Sequence, residues 1–167
     1  MNRLGHLTLS VTLGALLAAC NHSAPTANTS NASTASSVPA KPTATADENT
    51  WGNYLAEQGK LHGKDVEMKP YIYVIPAGDS VAGNDRRQNE TDSIVHSIGP
   101  ILMPGGMLIL GGPDAKQTTS FITNLSKQLK ADVMKGIVVM VVSDASEQAV
   151  DTAALKASGA TVRFVTM

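Results

Sequence analysis

The side chains that could carry chemistry stand at three places in the sequence. Ser80, in Gly78-Asp79-Ser80, directly follows an apolar run and could act as a nucleophile if a base took its proton. Asp85-Arg86-Arg87 follows soon after, and two adjacent guanidinium groups could hold an acidic partner or a glycan phosphate through charge-assisted hydrogen bonds. Cys20 is the only cysteine, which excludes an internal disulfide framework and a multi-cysteine metal site.

The serine lies in a sequence that resembles the nucleophile block of GDS-type esterases. In that family the serine lies at the carboxyl end of the first strand, and the resemblance implies a base from an Asp-x-x-His sequence near the chain end. No histidine follows His96 here, and the chain after Ser80 is shorter than the usual domain of that family. We therefore expect a tight turn at Ser80 and no catalytic residue, with a GDS-like hydrolase as the alternative.

A second segment, from Met107 to Phe121, resembles a nucleotide-binding P-loop. It reads MLILGGPDAKQTTSF, a strand followed by glycines, a lysine and a threonine. An alanine replaces the glycine before Lys116, and Gln117 separates that lysine from Thr118, so the phosphate-binding pattern is broken. We expect a helix capped by Asp114 and no cofactor. His22, His62 and His96 are too scattered to predict a metal site.

Composition narrows the class of partner. The chain has 167 residues, 13 basic against 14 acidic side chains and a net charge of −1. This length fits one ordinary domain with extensions. Without a basic excess, and with 4% aromatic residues, nucleic acid is not an expected partner.

The first 20 residues are typical of an export signal. Arg3 precedes a charge-free apolar stretch from Leu7 to Ala18, which is shorter than the ~20 residues of a membrane-spanning helix. Leu17-Ala18-Ala19-Cys20 then resembles the lipobox of bacterial lipoproteins, which are cut by signal peptidase II. The resemblance implies cleavage before Cys20, a diacylglycerol on its sulfur and an acyl chain on its amino group. The alternative is an ordinary secretory signal with an incidental cysteine.

Two further segments precede the predicted domain. Residues 20–46 are almost wholly Ser, Thr, Ala, Asn and Pro, which predicts a disordered tether between the lipid and the domain. In residues 47–69, Trp51, Tyr54 and Leu55 have approximately helical spacing behind Asn49-Thr50. This pattern predicts a short amphipathic helix, which either packs on the domain or binds a partner.

Residues 70–167 alternate strand and helix patterns. Apolar runs at 71–75, 107–110, 136–142 and 161–165 predict four strands, and the third is apolar throughout, as in the buried strands of parallel sheets. Helices are predicted from Glu90, over 114–134 and over 146–156, with Arg86 and Arg87 in the loop before the first of them. The order βαβαβαβ predicts an α/β fold, a small, mostly parallel sheet with helices on its faces. Strand order is not readable from the sequence.

These features lead to two hypotheses of function. The first is an outer-membrane lipoprotein, held in the bilayer by acylated Cys20, whose periplasmic α/β domain is a non-enzymatic accessory of an envelope assembly. Examples of such an assembly are a secretion, conjugation or pilus apparatus and a wall-linked complex, and an envelope protein is the expected partner. Asn21, where an aspartate resembles the inner-membrane retention signal, favours the outer membrane. The second hypothesis is a small periplasmic enzyme or ligand-binding domain that uses the segment Asp79–Arg87, with Asp79, Ser80, Arg86 and Arg87 at its site.

Overall fold

The computed structural model describes residues 38–167, which form an α/β fold with four strands and four α-helices. The predicted fold class is confirmed. Cys20 and the signal segment lie outside the described residues. In chain order the elements are α1 (Glu48–His62), β1 (Tyr71–Val74), α2 (Val81–Ser97), β2 (Met107–Gly111), α3 (Ala115–Gln128), β3 (Val138–Ser143), α4 (Gln148–Leu155) and β4 (Thr161–Thr166).

The four strands form one parallel sheet in the order β1-β2-β3-β4. Because this order advances in one direction, right-handed crossovers place every connecting helix on the same face of the sheet. The core on that face joins Ile94 of α2, Phe121 of α3 and Leu155 of α4 to the sheet residues Val139 and Val141. The opposite face therefore needs another cover.

Helix α1 provides that cover. Trp51 and Leu55 are buried against Ile109, Met140 and Val142, which are the sheet residues that point away from the other helices. Asp47 caps the helix by accepting from the backbone N–H of Thr50 at 2.7 Å, ahead of the predicted capping residues. Of the two predicted roles for this helix, packing on the domain is therefore the one observed.

The chain contacts the domain before the predicted end of the tether. The Trp51 indole N–H donates to the carbonyl of Thr43 at 3.2 Å, and Lys41 forms a 3.1 Å ion pair with Asp144. Ala46 packs on the core under α1. A buried indole N–H needs an acceptor, and this requirement draws residues 41–46 onto the domain. Most of the predicted tether, 20–37, lies outside the described residues.

Two predicted helix boundaries are wrong. Helix α2 starts at Val81, so Arg86 and Arg87 lie in a helix and not in a loop. Its start was missed because only three of its residues are buried, which leaves little apolar periodicity in its first turns. Helix α3 ends at Gln128, short of the predicted Met134. No helix within residues 38–167 is long and apolar enough to cross a membrane.

Candidate functional site

The loops that follow β1 and β2 meet at the carboxyl edge of the sheet. Ile75 donates its backbone N–H to the carbonyl of Gly111 at 2.8 Å, which continues the pairing beyond the strands. A Cβ added at Gly112 would lie 2.2 Å from the carbonyl oxygen of Ile75, so only glycine fits there. This close approach fixes where α2 and α3 begin relative to each other.

A polar cleft of about 460 Å³ opens between α2 and α3 at this edge. Its walls come from the first turns of both helices and the loop before α2. The residues that line it are Asp79, Asn84, Asp85, Arg87, Gln88, Thr91, Gln117, Ser120, Phe121 and Asn124. Nearly all of these side chains are amides, carboxylates or hydroxyls, so the cleft offers hydrogen bonds more than apolar contact.

Arg87 forms part of the wall, but its guanidinium group is directed into the protein. The residue is only 8% exposed, and it donates to the carbonyls of Pro76 at 2.6 Å and Gly78 at 2.8 Å. It also donates to the side-chain oxygen of Asn84. A buried cation requires such partners. Arg87 therefore holds the loop between β1 and α2 in place.

Asp79 and Ser80, the other predicted site residues of this loop, are also engaged. Asp79 accepts a 2.6 Å hydrogen bond from the side-chain amide of Gln117, which links the loop to α3. Ser80 is the N-cap of α2, and its Oγ accepts from the backbone N–H of Gly83 at 3.1 Å. The structure thus brings Asp79 and Arg87 to one cleft, with Ser80 beside them.

Arg86 lies elsewhere. It pairs with Glu48 of α1 beside Pro76 and Trp51, on the side of the loop away from the cleft. The hydrogen bond from Arg86 lowers the pKa of Glu48 below its ordinary value, and the same contact raises the pKa of Arg86. The two adjacent arginines therefore do not form one anion site.

The serine has no histidine base among the nearby residues. His96 lies 16 positions beyond Ser80 on α2, at the far end of a helix, about 24 Å away at 1.5 Å per residue. His62 ends α1, and none of the described residues lining the cleft is histidine. Within residues 38–167 there is also no group of three side chains arranged to hold a metal ion.

The cap predicted for α3 is confirmed. Asp114 accepts from the backbone N–H groups of Lys116 at 2.9 Å and Gln117 at 3.1 Å. The carboxylate therefore occupies the position at which a phosphate would have to meet the first turn of this helix.

Six polar residues of the cleft were missed in the sequence analysis. Asn84, Gln88 and Thr91 repeat at helical spacing on α2, as do Gln117, Ser120 and Asn124 on α3. Each of these two rows of polar residues can be recognised in the sequence. That the two rows face the same cleft depends on the position of α2, and the start of this helix was predicted too late in the chain. Thr91 is the exception in exposure, being almost fully buried.

Compared with known protein families, curated proteins and solved structures, the chain matches none of them.

Proposed function

We propose that this protein is a bacterial outer-membrane lipoprotein, anchored through acylated Cys20, whose periplasmic α/β domain is a non-enzymatic interaction module of an envelope assembly. Examples of such an assembly are a secretion, conjugation or pilus apparatus. The anchor rests on Leu17-Ala18-Ala19-Cys20, placed directly after a charge-free apolar stretch. The interaction role of the domain rests on one observation, the cleft between α2 and α3. In this cleft, the side chains of types that could be reactive already form hydrogen bonds within the chain.

The cleft suits recognition more than catalysis. Arg87 is held by the carbonyls of the loop, and no histidine that could take a proton from Ser80 lines the cleft among the described residues. The exposed amides Gln88 and Asn124 stand on opposite walls, where both can donate to and accept from a partner. A rigid polar surface of this kind fits a partner segment that presents backbone or polar groups.

Crosslinked affinity purification from the native envelope tests this proposal. We expect the lipidated protein to recover a reproducible partner, and the Cys20→Ala form to lose it. The double variant Gln88→Ala/Asn124→Ala should recover at least tenfold less partner while folding normally. Asn89→Ala is the matched control, because Asn89 is exposed on the same helix but does not line the cleft. Recovery of no stable partner by the lipidated form would contradict the accessory role.

A small-molecule role for the same cleft is the second candidate. Its volume of about 460 Å³ lies within the range of small-molecule pockets, although its lining is more polar than is usual for them. In that case the purified protein should bind a soluble saccharide saturably without any protein partner. Amide chemical shifts of residues 84–91 and 117–124 would report such binding, and the accessory proposal predicts no change in them.

A further inference from the structure

Strand β4 lies at one edge of the sheet, with β3 as its one neighbour among the strands of the described residues. Thr161 donates its backbone N–H to the carbonyl of Ile137, and Met167 donates to that of Ser143. In a parallel pair the bonded residues alternate, so the backbone groups of the residues between them face away from β3. The N–H and C=O groups of Val162, Phe164 and Thr166 therefore point out from the sheet.

The two edges of the sheet differ in how well they are protected against pairing with another strand. Strand β1, at the other edge, has four residues and stands between Pro70 and Pro76. Short strands and flanking prolines are the usual means by which proteins prevent pairing at an edge. Strand β4 has six residues, no proline, and the β-forming sequence TVRFVT. It is the edge that can accept another strand.

A groove runs beside this edge on the face of the sheet that carries α4. It has a volume of about 680 Å³ and is lined mainly by small side chains, among them Ala149 and Ala153 of α4 and Val162 of β4. Phe164, on the same face, is half-buried at the margin of the core. Helix α4 therefore covers only part of β4, and apolar surface adjoins the free backbone groups.

We propose that β4 pairs antiparallel with β4 of a second copy of this chain, which joins the two sheets across a two-fold axis. Antiparallel bonding requires outward-facing residues to lie opposite each other. One register places Phe164 opposite Phe164 and Val162 opposite Thr166. This register pairs all three outward-facing residues of the strand with residues of the other β4. A shift by one pair in either direction leaves one of the three opposite a position outside β4, so that fewer backbone hydrogen bonds form.

Charge also favours a second copy as the occupant. Lys156 lines one end of the groove, whereas Glu147 lies close to its other end at Ala145. The two-fold axis reverses the second copy, so that each lysine faces the acidic end of the other groove. The small residues Ala149 and Ala153 let the two α4 helices approach closely. The contact is thus self-complementary in backbone hydrogen bonds, in charge and in shape.

Cysteine crosslinking in the intact envelope tests the pairing in the full chain. In a hydrogen-bonded antiparallel pair the Cα atoms lie about 5.5 Å apart, which a disulfide can span. Oxidation of Phe164→Cys should therefore give a disulfide-linked dimer of the chain. Val81→Cys is the control, because Val81 is 77% exposed but remote from β4, and it should stay monomeric. A disulfide-linked dimer of the unsubstituted protein would instead reveal an unacylated Cys20, which separates failure of the anchor from failure of the pairing.

Proline substitution tests the pairing without disturbing the core. Thr166→Pro removes an outward N–H and leaves the bond from Met167 to Ser143 in place. The two-fold axis doubles the loss, so the dissociation constant, measured by ultracentrifugation in detergent, should rise by a factor on the order of 10 to 100. Thr166→Ala keeps the N–H and should remain a dimer. A monomeric unsubstituted protein, or a Phe164→Cys crosslink to a different protein only, would overturn the proposal.

Discussion

Asp151 is the residue whose environment departs most from that of an ordinary carboxylate. It lies in α4 with no exposed surface, and neither carboxylate oxygen has a hydrogen-bond partner in the described residues. The hydroxyl of nearby Thr119 has one hydrogen, which it donates to Glu147 at 2.9 Å. Burial, with a further contribution from the charge of Glu147, raises the pKa of Asp151 to about 6.

The raised pKa of Asp151 makes the stability of the folded protein depend on pH in a known direction. Because it is higher in the folded than in the unfolded chain, the folded state binds the proton more tightly, and the Asp151 contribution to the unfolding free energy increases as pH falls from 7 to about 4. Asp47, Glu48 and Asp65 have lowered pKa values and act in the opposite direction. The contribution of Asp151 to the unfolding free energy is therefore measured by comparing the unsubstituted protein with a variant at this position.

We predict that Asp151→Asn is more stable than the unsubstituted protein at pH 7, by about 1 to 3 kcal/mol. The advantage should shrink as the pH falls to 4, where Asp151 is protonated in the folded state and about half ionised in the unfolded state. Urea denaturation at the two pH values measures this, with exposed Asp85→Asn as the control. A constant difference at both pH values, or a less stable variant at pH 7, would contradict the assignment.

Arg87 and Arg86 should differ in their contribution to stability. Arg87→Ala leaves two carbonyls of the loop without their donor and should lower the unfolding free energy by about 2 to 4 kcal/mol. Arg86→Ala removes an exposed ion pair with Glu48, which is worth about 1 kcal/mol or less. Thermal or urea unfolding of the two variants provides the comparison, and equal losses would refute the structural role given to Arg87.

The arginines also show the limit of sequence reading at this scale. The sequence placed Asp79 and Arg87 near the carboxyl edge of the sheet, because that edge follows directly from the first strand. It could not show that the acceptors of Arg87 are the carbonyls of Pro76 and Gly78. Those contacts depend on the path of a loop, which side-chain chemistry alone does not determine. Reversing both arginine charges would therefore test folding together with binding.

At the scale of elements, the strands were predictable and the cover of the sheet was not. The apolar runs of β2 and β3 are buried on both faces, and such runs are readable without any partner. Helix α1 has one apolar side. From the sequence alone, this side could pack on the open face of this sheet or on another protein. The strand order decides between them, because it places α2, α3 and α4 together and leaves the second face to α1.

Two glycines provide a matched test of this packing. At Gly112 an added Cβ would lie 2.2 Å from the backbone oxygen of Ile75, so Gly112→Ala should separate the loops after β1 and β2 and destabilise the fold by about 2 kcal/mol or more. At Gly52 the nearest atom would lie at 3.8 Å, on Val74. Gly52→Ala, within α1, should therefore stabilise by up to about 1 kcal/mol. Melting temperatures that shift in the same direction for both variants would contradict the packing described.

For the whole molecule, the structure gives a larger domain than the sequence pattern alone indicates. The domain includes residues 41–46 and α1, so it is larger than the repeating strand and helix pattern of residues 70–167 indicates. The pattern identified the repeating part because each strand and helix there has its own signature. The preceding residues have no such signature, and they join the domain through single contacts such as the Thr43 carbonyl with Trp51.

The anchor proposed at Cys20 has consequences for the whole molecule that fractionation can follow. The unsubstituted protein should sediment with outer-membrane fractions and resist extraction by salt. Cys20→Ala should remove most of the protein from the outer-membrane fractions, because no acyl chain is then attached. Equal amounts of the two forms in the outer-membrane fractions would show that the acyl group is not what holds the protein there.

Intact mass spectrometry of the mature protein measures the modification of Cys20 itself. We expect a mature protein that begins at Cys20 and whose mass exceeds that of the polypeptide by a diacylglycerol and an amide-linked acyl chain. A mature terminus at any other residue, or an unmodified Cys20, would contradict the lipoprotein assignment.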